Sequence, residues 1–380
     1  MRIAFVSICG MPWGGSEILW VATAKEALLQ GHQVLVSVFD WPEQHPAIKE
    51  LGSLGATFIY RRRFYPTFLK RFKKKIINKF RAATNKATYH DYLIDFNADC
   101  ILFNLSGGDE IAQDSTDLMI FIRQTQIPYS VFYHSLSIKV SYNDNIKSDF
   151  RFLLNKAANN YFTSNMQIGL LEEQLQYRIN KVSIVNHPLR SLHGFPLALN
   201  EQDGIHFCII GSLVNRWKGQ DIILKILAKD KWLKRNWLLN IYGEGEDELI
   251  LKEIAKESGI SERVIFHGFA SDIETVFKEN NLVLIPSIQD SGPIVLFEAM
   301  LAARPVVGSF MGAMPDYIIT EETGVLAKGT SKNNFEEALE IAWINQDKWE
   351  EWGMNGKKLL LSKYDFQAVQ TLFKKLIKSS

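Results

Sequence analysis

The stretch 284–307, LIPSIQDSGPIVLFEAMLAARPVV, constrains this chain more than any other. An apolar strand (282–285) runs into it and ends at Pro286-Ser287, followed by a polar loop carrying Asp290 and a helix expected to start near Pro293. Proline suits a first helical turn because it lacks an N–H and has a fixed φ. Ile294, Val295, Phe297, Met300 and Leu301 supply the apolar positions of that helix, with Glu298 among them, and a second strand is expected over 304–308. A strand, a turn and a helix N-terminus together make an anion site, because unpaired backbone N–H groups and the helix dipole face the loop. Asp290 and Glu298 would repel a phosphate that touched them. They make sense as acceptors for hydroxyls flanking it, a ribose on one side and a sugar on the other. The plain alternative is a Rossmann-like strand–helix unit with an incidental surface Asp and helix Glu.

The same strand, glycine turn and helix recur along the chain. Residues 3–8 read as a buried parallel strand, GMPWGGSE (10–17) opens a helix over 16–30, and 33–39 is a second strand. That turn carries Gly14 and Gly15 but lacks the spacing of a dinucleotide fingerprint, which disfavours NAD. Strands are expected at 99–104 and 129–134, the latter ending on His134, where open α/β sheets place their ligands. Periodicity fails from 189 to 204, which reads as a linker. The pattern restarts at 205–210 and runs into GSLVNRWKGQD, where Arg216 and Lys218 precede a helix at 220–228. Cations at a helix N-terminus oppose the dipole, so an anion is expected between them. A strand at 238–242 leads to Gly243 in GEGED, VIFHGF (264–269) carries His267, Gly268 and Phe269, and helices follow at 336–342, 349–362 and 366–378. A length of 380 residues suits two such α/β domains, divided as 1–190, a linker at 191–204, 205–362, and a terminal segment at 363–380.

Residues 61–81 stand apart in composition, with ten Lys or Arg and no acid, against a net charge of +1 for the whole chain. Arg61, Arg62, Arg63, Lys70, Arg71, Lys73, Lys74 and Lys75 are interleaved with aromatic and apolar residues at roughly helical spacing. Such a segment fits an anionic membrane surface, where each basic side chain contributes about 1 kcal/mol. A solvated basic face is the bland reading, and the neutral remainder of the chain weighs against nucleic acid. Three cysteines without ligand spacing read as buried thiols of a reducing compartment, and neither a secretory signal nor a spanning helix is evident. A cytoplasmic protein, peripheral on the inner face of the plasma membrane, is expected.

Asp290-x7-Glu298, followed by Ala302-Ala303 and Arg304-Pro305-Val306-Val307, resembles the Glu-x7-Glu motif of glycosyltransferase family 4. These are retaining enzymes of the GT-B fold, with two Rossmann-like domains facing a cleft, and the resemblance extends over nearly the whole chain. It implies transfer of a sugar from a nucleotide sugar, UDP- or GDP-linked, to a glycan or lipid-linked glycan, with no cofactor and no nucleic-acid partner. The last helix would cross back to the first domain. By the same resemblance Lys218 grips the diphosphate, where Ser212 stands in place of a family Arg and Arg216 is its stand-in. Ser291, Gly292, Pro293, Ile294 and Val295 line the donor at the helix start, with N–H groups offered by all but the proline. Glu298 holds the ribose, Asp290 the donor sugar, and His134 the sugar from the opposite wall. Gly14 and Gly15 lie beside the phosphates and acceptor, while Gly243, His267, Gly268 and Phe269 lie near the nucleotide. Asp290 departs from the family in being one methylene shorter than Glu. No Asp-x-Asp ends a strand and the positive loop replaces a divalent ion, so metal-independent transfer is expected. The rivals are a GT-B sugar-nucleotide epimerase, a phosphorylase, and a non-catalytic membrane-associated subunit that binds sugar nucleotides.

Overall fold

The computed structural model describes all residues except 62–89, 106–117, 137, 139, 191–203 and 379–380. Two compact units emerge. The first comprises Met1–Thr163, Gln167–Pro188 and Asp365–Ser380, and the second Ser164–Met166 and Leu189–Tyr364.

Unit 1 is built on a seven-stranded sheet of order β3-β2-β1-β4-β5-β6-β7. Its strands are β1 (Arg2–Ser7), β2 (Gln33–Phe39), β3 (Thr57–Arg61), β4 (Cys100–Leu105), β5 (Tyr129–Tyr133), β6 (Asn160–Phe162) and β7 (Val182–Ile184). Every pairing is parallel, with Phe5 facing Val36 on one side and Leu102 on the other. Short runs such as IAFV and CILF are apolar throughout because both faces of a parallel sheet are covered. The helix Gly15–Leu29 buries Leu19, Trp20, Ala24 and Ala27 on one face of the sheet. The terminal helix Ala368–Lys378 packs beside it through Leu372, Phe373 and Leu376.

Unit 2 repeats the plan with six parallel strands ordered β10-β9-β8-β11-β12-β13. They are β8 (Ile205–Ile210), β9 (Trp237–Tyr242), β10 (Val264–Gly268), β11 (Leu282–Ile285), β12 (Val306–Gly308) and β13 (Gly324–Leu326). In both sheets the order reverses beside the first strand, between β1 and β4 and between β8 and β11. Those two crevices are where doubly wound sheets take their ligands.

Two local expectations change. The strand read over 304–308 begins only at Val306, because Ala303 takes a left-handed φ of 55° and Arg304 turns inward, 1% exposed, to donate to the Phe277 carbonyl at 2.6 Å. Pro293 is the N-cap of the helix Ile294–Leu301 rather than its first residue, with ψ at 115°. That helix lies against Trp349–Lys363, where a Cβ on Gly353 would sit 2.0 Å from the Ala303 carbonyl oxygen. Only glycine admits so close an approach.

Arg61, which does not start an exposed helix, is the other correction. It ends β3, is 4% exposed, donates to the Ser7 and Ser37 carbonyls, and lies 4.6 Å above the Phe39 ring. Pairing of Arg61 with Phe39 across β2 directs its guanidinium over the carbonyl ends of β1 and β2, which is why it is lost to any membrane surface. Arg62, Arg63, Lys70, Arg71, Lys73, Lys74 and Lys75 lie outside the described residues, as do 191–203 of the expected linker. Among the described residues no helix is long and apolar enough to cross a membrane.

Candidate active site

In unit 2 the crevice between β8 and β11 is closed by two loops that dock on each other. After β8 the chain makes one helical turn, Asn215–Lys218, and reverses at Gly219 with φ 66°. A Cβ there would lie 2.4 Å from the Pro286 carbonyl oxygen, so the turn sits flush on the loop after β11. The Trp217 carbonyl accepts from the N–H groups of Ile288 and Gln289 at 2.8 and 3.0 Å. This docking brings Lys218 Nζ to 2.6 Å from Asp290 Oδ2, with 29% and 10% of the two side chains exposed. Asp290 is itself fixed, since Oδ2 accepts from Ser287 Oγ at 3.1 Å and Oδ1 from the Ser291 N–H at 2.9 Å. Lys218, Gln220, Ser287, Asp290, Pro293 and Val295 line one small recess over the strand ends.

Glu298, expected to hold the ribose, lies on the helix Ile294–Leu301. It is fully buried, and Arg190 grips both carboxylate oxygens, Nε to Oε1 at 2.6 Å and Nη2 to Oε2 at 2.7 Å. A further guanidinium N–H reaches the Ala270 carbonyl at 3.3 Å. Fork-on-fork geometry of this kind is the strongest that an Arg and a carboxylate can adopt.

Arg216 does not join Lys218. Two residues earlier on one helical turn, it points to another side, pairs with Glu246 at 3.1 Å and lies 4.5 Å over Trp217. With 63% of its side chain exposed, that pair contributes little. Ser212 is exposed and offers its carbonyl to Gln220 at 2.8 Å. Gly243 (φ 139°) sits where a Cβ would be 1.8 Å from the Gly211 oxygen, and its N–H donates to Gly268 at 2.7 Å, so glycines floor the strand ends. His267 spends its Nε2 on Asn240 at 2.8 Å and stacks on Tyr242 at 4.4 Å, leaving the backbone of Gly268 and a 72% exposed Phe269 for contact. Gly292 and Ile294 complete the loop and helix start beside the recess.

Unit 1 carries a second polar cluster, at the crevice between β1 and β4. Ser7 ends β1, Asn104 lies in β4, Glu17 is in the first turn of the helix Gly15–Leu29, and His134 follows β5. Glu17 Oε1 accepts from Ser7 Oγ at 2.9 Å and Asn104 Nδ2 at 3.1 Å, and Asn104 Oδ1 meets His134 Nε2 at 2.5 Å. The His134 backbone is held by Leu105 (3.0 Å) and by Gln167 Nε2 (3.2 Å). Burial, with His187 stacked 5.2 Å away, pushes the His134 imidazole well below its usual range, so it is neutral at physiological pH. Gly14 is the N-cap in extended backbone, and open space surrounds the Cβ position of Gly15.

Glu17, Asn104 and Arg190 escape a reading of the sequence. An acid in a first helical turn looks like an ordinary dipole partner, and Arg190 lies at the edge of an aperiodic stretch. Asn104, a polar residue inside an apolar strand, is the one visible signal. Burial raises the Glu17 carboxyl from 4.5 to about 7, against the lowering effect of Ser7, Ser16 and Arg61. Between those values the folded chain holds a proton that the unfolded chain has released. Stability should therefore fall by about 3 kcal/mol as pH rises through that window and level off above it. Urea unfolding across the window should show this slope in the wild type and not in Glu17→Gln; equal slopes would contradict it.

Residues 174–359 match the family described as glycosyl transferases group 1. Over 184 residues the chain is 27% identical to an uncharacterised glycosyltransferase of Methanocaldococcus jannaschii, covering 46% of this chain and 45% of that one. The chain spans about half the length of the curated relatives it matches. Among solved structures, a glycosyltransferase from Rickettsia africae superposes with a TM-score of 0.72 at 13% identity, covering 100% of this chain and 99% of the other. Anabaena HepE in complex with UDP gives 0.70 at 15% identity over 100% of both chains. The fold is GT-B, an α/β architecture of two Rossmann-like domains. The segment 174–359 is of the glycosyl transferases group 1 type.

Proposed function

We propose that this chain is a retaining glycosyltransferase that moves a sugar from a nucleoside-diphosphate sugar to a glycan or lipid-linked glycan without a metal ion. The observation that carries the proposal is the Lys218–Asp290 pair at the crevice between β8 and β11, beside the first turn of the helix Ile294–Leu301. A cation and free N–H groups at one place suit a diphosphate, and the carboxylate next to them suits a sugar hydroxyl. When the bond from the sugar's anomeric carbon to the β-phosphate oxygen breaks, charge grows on the diphosphate. Lys218 and the N–H groups of Ile294 and Val295 offset that charge, which is the usual task of a divalent ion. Glu298 accepts from the ribose hydroxyls, sharing its oxygens with Arg190. His134 accepts from a substrate hydroxyl.

The group 1 match over 174–359 supports the reading, and the UDP bound to HepE supports a uridine donor. The basic residues from 62 to 81 are proposed to hold the chain at an anionic membrane surface on the cytoplasmic side.

Turnover of a panel of UDP- and GDP-sugars, read as release of free nucleoside diphosphate, tests this. Release should persist in excess chelator. It should fall about tenfold to hundredfold in Glu298→Gln, the loss of one or two hydrogen bonds to a charged acceptor. Chelator-sensitive release would remove the metal-independent mechanism, and an unaffected Glu298→Gln the ribose assignment.

A further inference from the structure

The proposed activity gives His134 a hydroxyl to accept, and the cluster around it shows how that acceptor is made. Asn104 Nδ2 lies 3.3 Å from the Ser16 carbonyl oxygen and 3.1 Å from Glu17 Oε1. A carbonyl oxygen only accepts, so the nitrogen of the amide must be on that side and Oδ1 must face His134. Oδ1 likewise only accepts, so the 2.5 Å contact requires a proton on His134 Nε2. A neutral imidazole carries one proton. Nδ1 is therefore a bare lone pair, and it is buried with no hydrogen-bond partner among the described residues. An orphaned acceptor in a residue only 3% exposed calls for a donor from outside the chain.

We propose that Asn104 is a positioning residue: turned by Glu17 and the Ser16 carbonyl, it locks His134 in the Nε2–H tautomer and reserves Nδ1 for a hydroxyl of the bound substrate. The inference rests on the glycosyltransferase reading for the identity of that substrate as a polyol, and on unit 1 alone for the lock. Two features of the cluster make the lock durable. Protonation of Glu17 leaves Oε1 accepting from Ser7 and Asn104, so the amide keeps its orientation on both sides of that titration. Burial then keeps the imidazole neutral, so it acts as an acceptor and not as a general acid. The groups facing the cluster are Ser7, Ser16, Glu17, Arg61 through the Ser7 carbonyl, and His187.

The test uses the full chain labelled with ¹⁵N at histidine, whose two ring nitrogens report the tautomer directly. Wild-type His134, assigned by its loss in His134→Phe, should show a protonated Nε2 and an unprotonated Nδ1. Asn104→Leu should lose that pattern and lower kcat with a nucleotide sugar about tenfold, the worth of one hydrogen bond, while UDP affinity stays unchanged. Asn104→Asp keeps an accepting oxygen toward His134 but loses the donor toward Glu17 and the Ser16 carbonyl, so it should keep the Nε2–H tautomer and recover part of kcat relative to Asn104→Leu. A purely structural role would not track the tautomer in this way. A protonated Nδ1 in the wild type overturns the proposal, as does an unchanged pattern in Asn104→Leu or a kcat that ignores it. Should Asn104→Leu fail to fold, judged by its melting temperature, the wild-type spectrum and Asn104→Asp still decide. A wild type with the stated tautomer that turns over no nucleotide sugar would sink the transferase reading and leave the lock standing.

Discussion

Arg190→Met should lower the unfolding free energy by about 3–4 kcal/mol, because it leaves the buried Glu298 carboxylate without its partner. The figure falls at the lower end of that for fully buried pairs, since 42% of the Arg190 side chain is exposed while Glu298 is fully covered. Methionine keeps most of the arginine stem, so lost packing contributes little. The cause can be isolated by a double-mutant cycle. Glu298→Gln alone leaves the guanidinium a carbonyl oxygen to bond, and Arg190→Met with Glu298→Gln removes the uncompensated charge. The double variant should recover well over half of the loss, and strict additivity of the single effects would show that the pair is not coupled. Stability is read from urea midpoints of the full chain, with circular dichroism to confirm that each variant folds.

Lys218→Met should reduce turnover about a hundredfold to a thousandfold, the range for removing one preorganised group that stabilises transition-state charge. The lysine is held at 2.6 Å from Asp290 by a turn that Gly219 lets close on the Pro286 carbonyl. Its position is therefore set before a ligand arrives. Removing it also frees Asp290 to repel the diphosphate, so both binding and turnover fall. Asp290→Asn separates these effects. It keeps the lysine, lifts the repulsion, and should weaken turnover more than nucleotide affinity.

Much of the architecture could be read from the chain because buried parallel strands are short, mostly apolar runs that end in polar, proline or glycine residues. Residues 33–39 and 205–210 match β2 and β8 end to end. Where a strand merged into another signal it went unseen: TFIYR of β3 runs into the basic segment, and the short helix Pro46–Ser53 has too few turns to show a period. The site divides in the same way. Asp290 and Lys218 were visible because each sits in a loop at a strand end, yet their ion pair spans 72 positions and no local pattern encodes it. Arg190 reaches Glu298 across 108 positions from the margin of an aperiodic stretch, which hid the partner that changes what Glu298 can do. Arg216 has the charge and the loop for a diphosphate, but helical direction points it at Glu246. The Glu17–Asn104–His134 cluster joins three elements, and only the fold brings them together.

Isothermal titration of UDP into the wild type and Lys218→Met tests the diphosphate assignment most directly, with Lys252→Met as a control for lost surface charge, since Lys252 is half exposed and pairs with Glu248 one turn away. Saturable binding to the wild type and to the control, with binding to Lys218→Met weakened tenfold or more (about 1.4 kcal/mol), is the result expected. Equal affinity in all three proteins would place the nucleotide elsewhere and contradict the account.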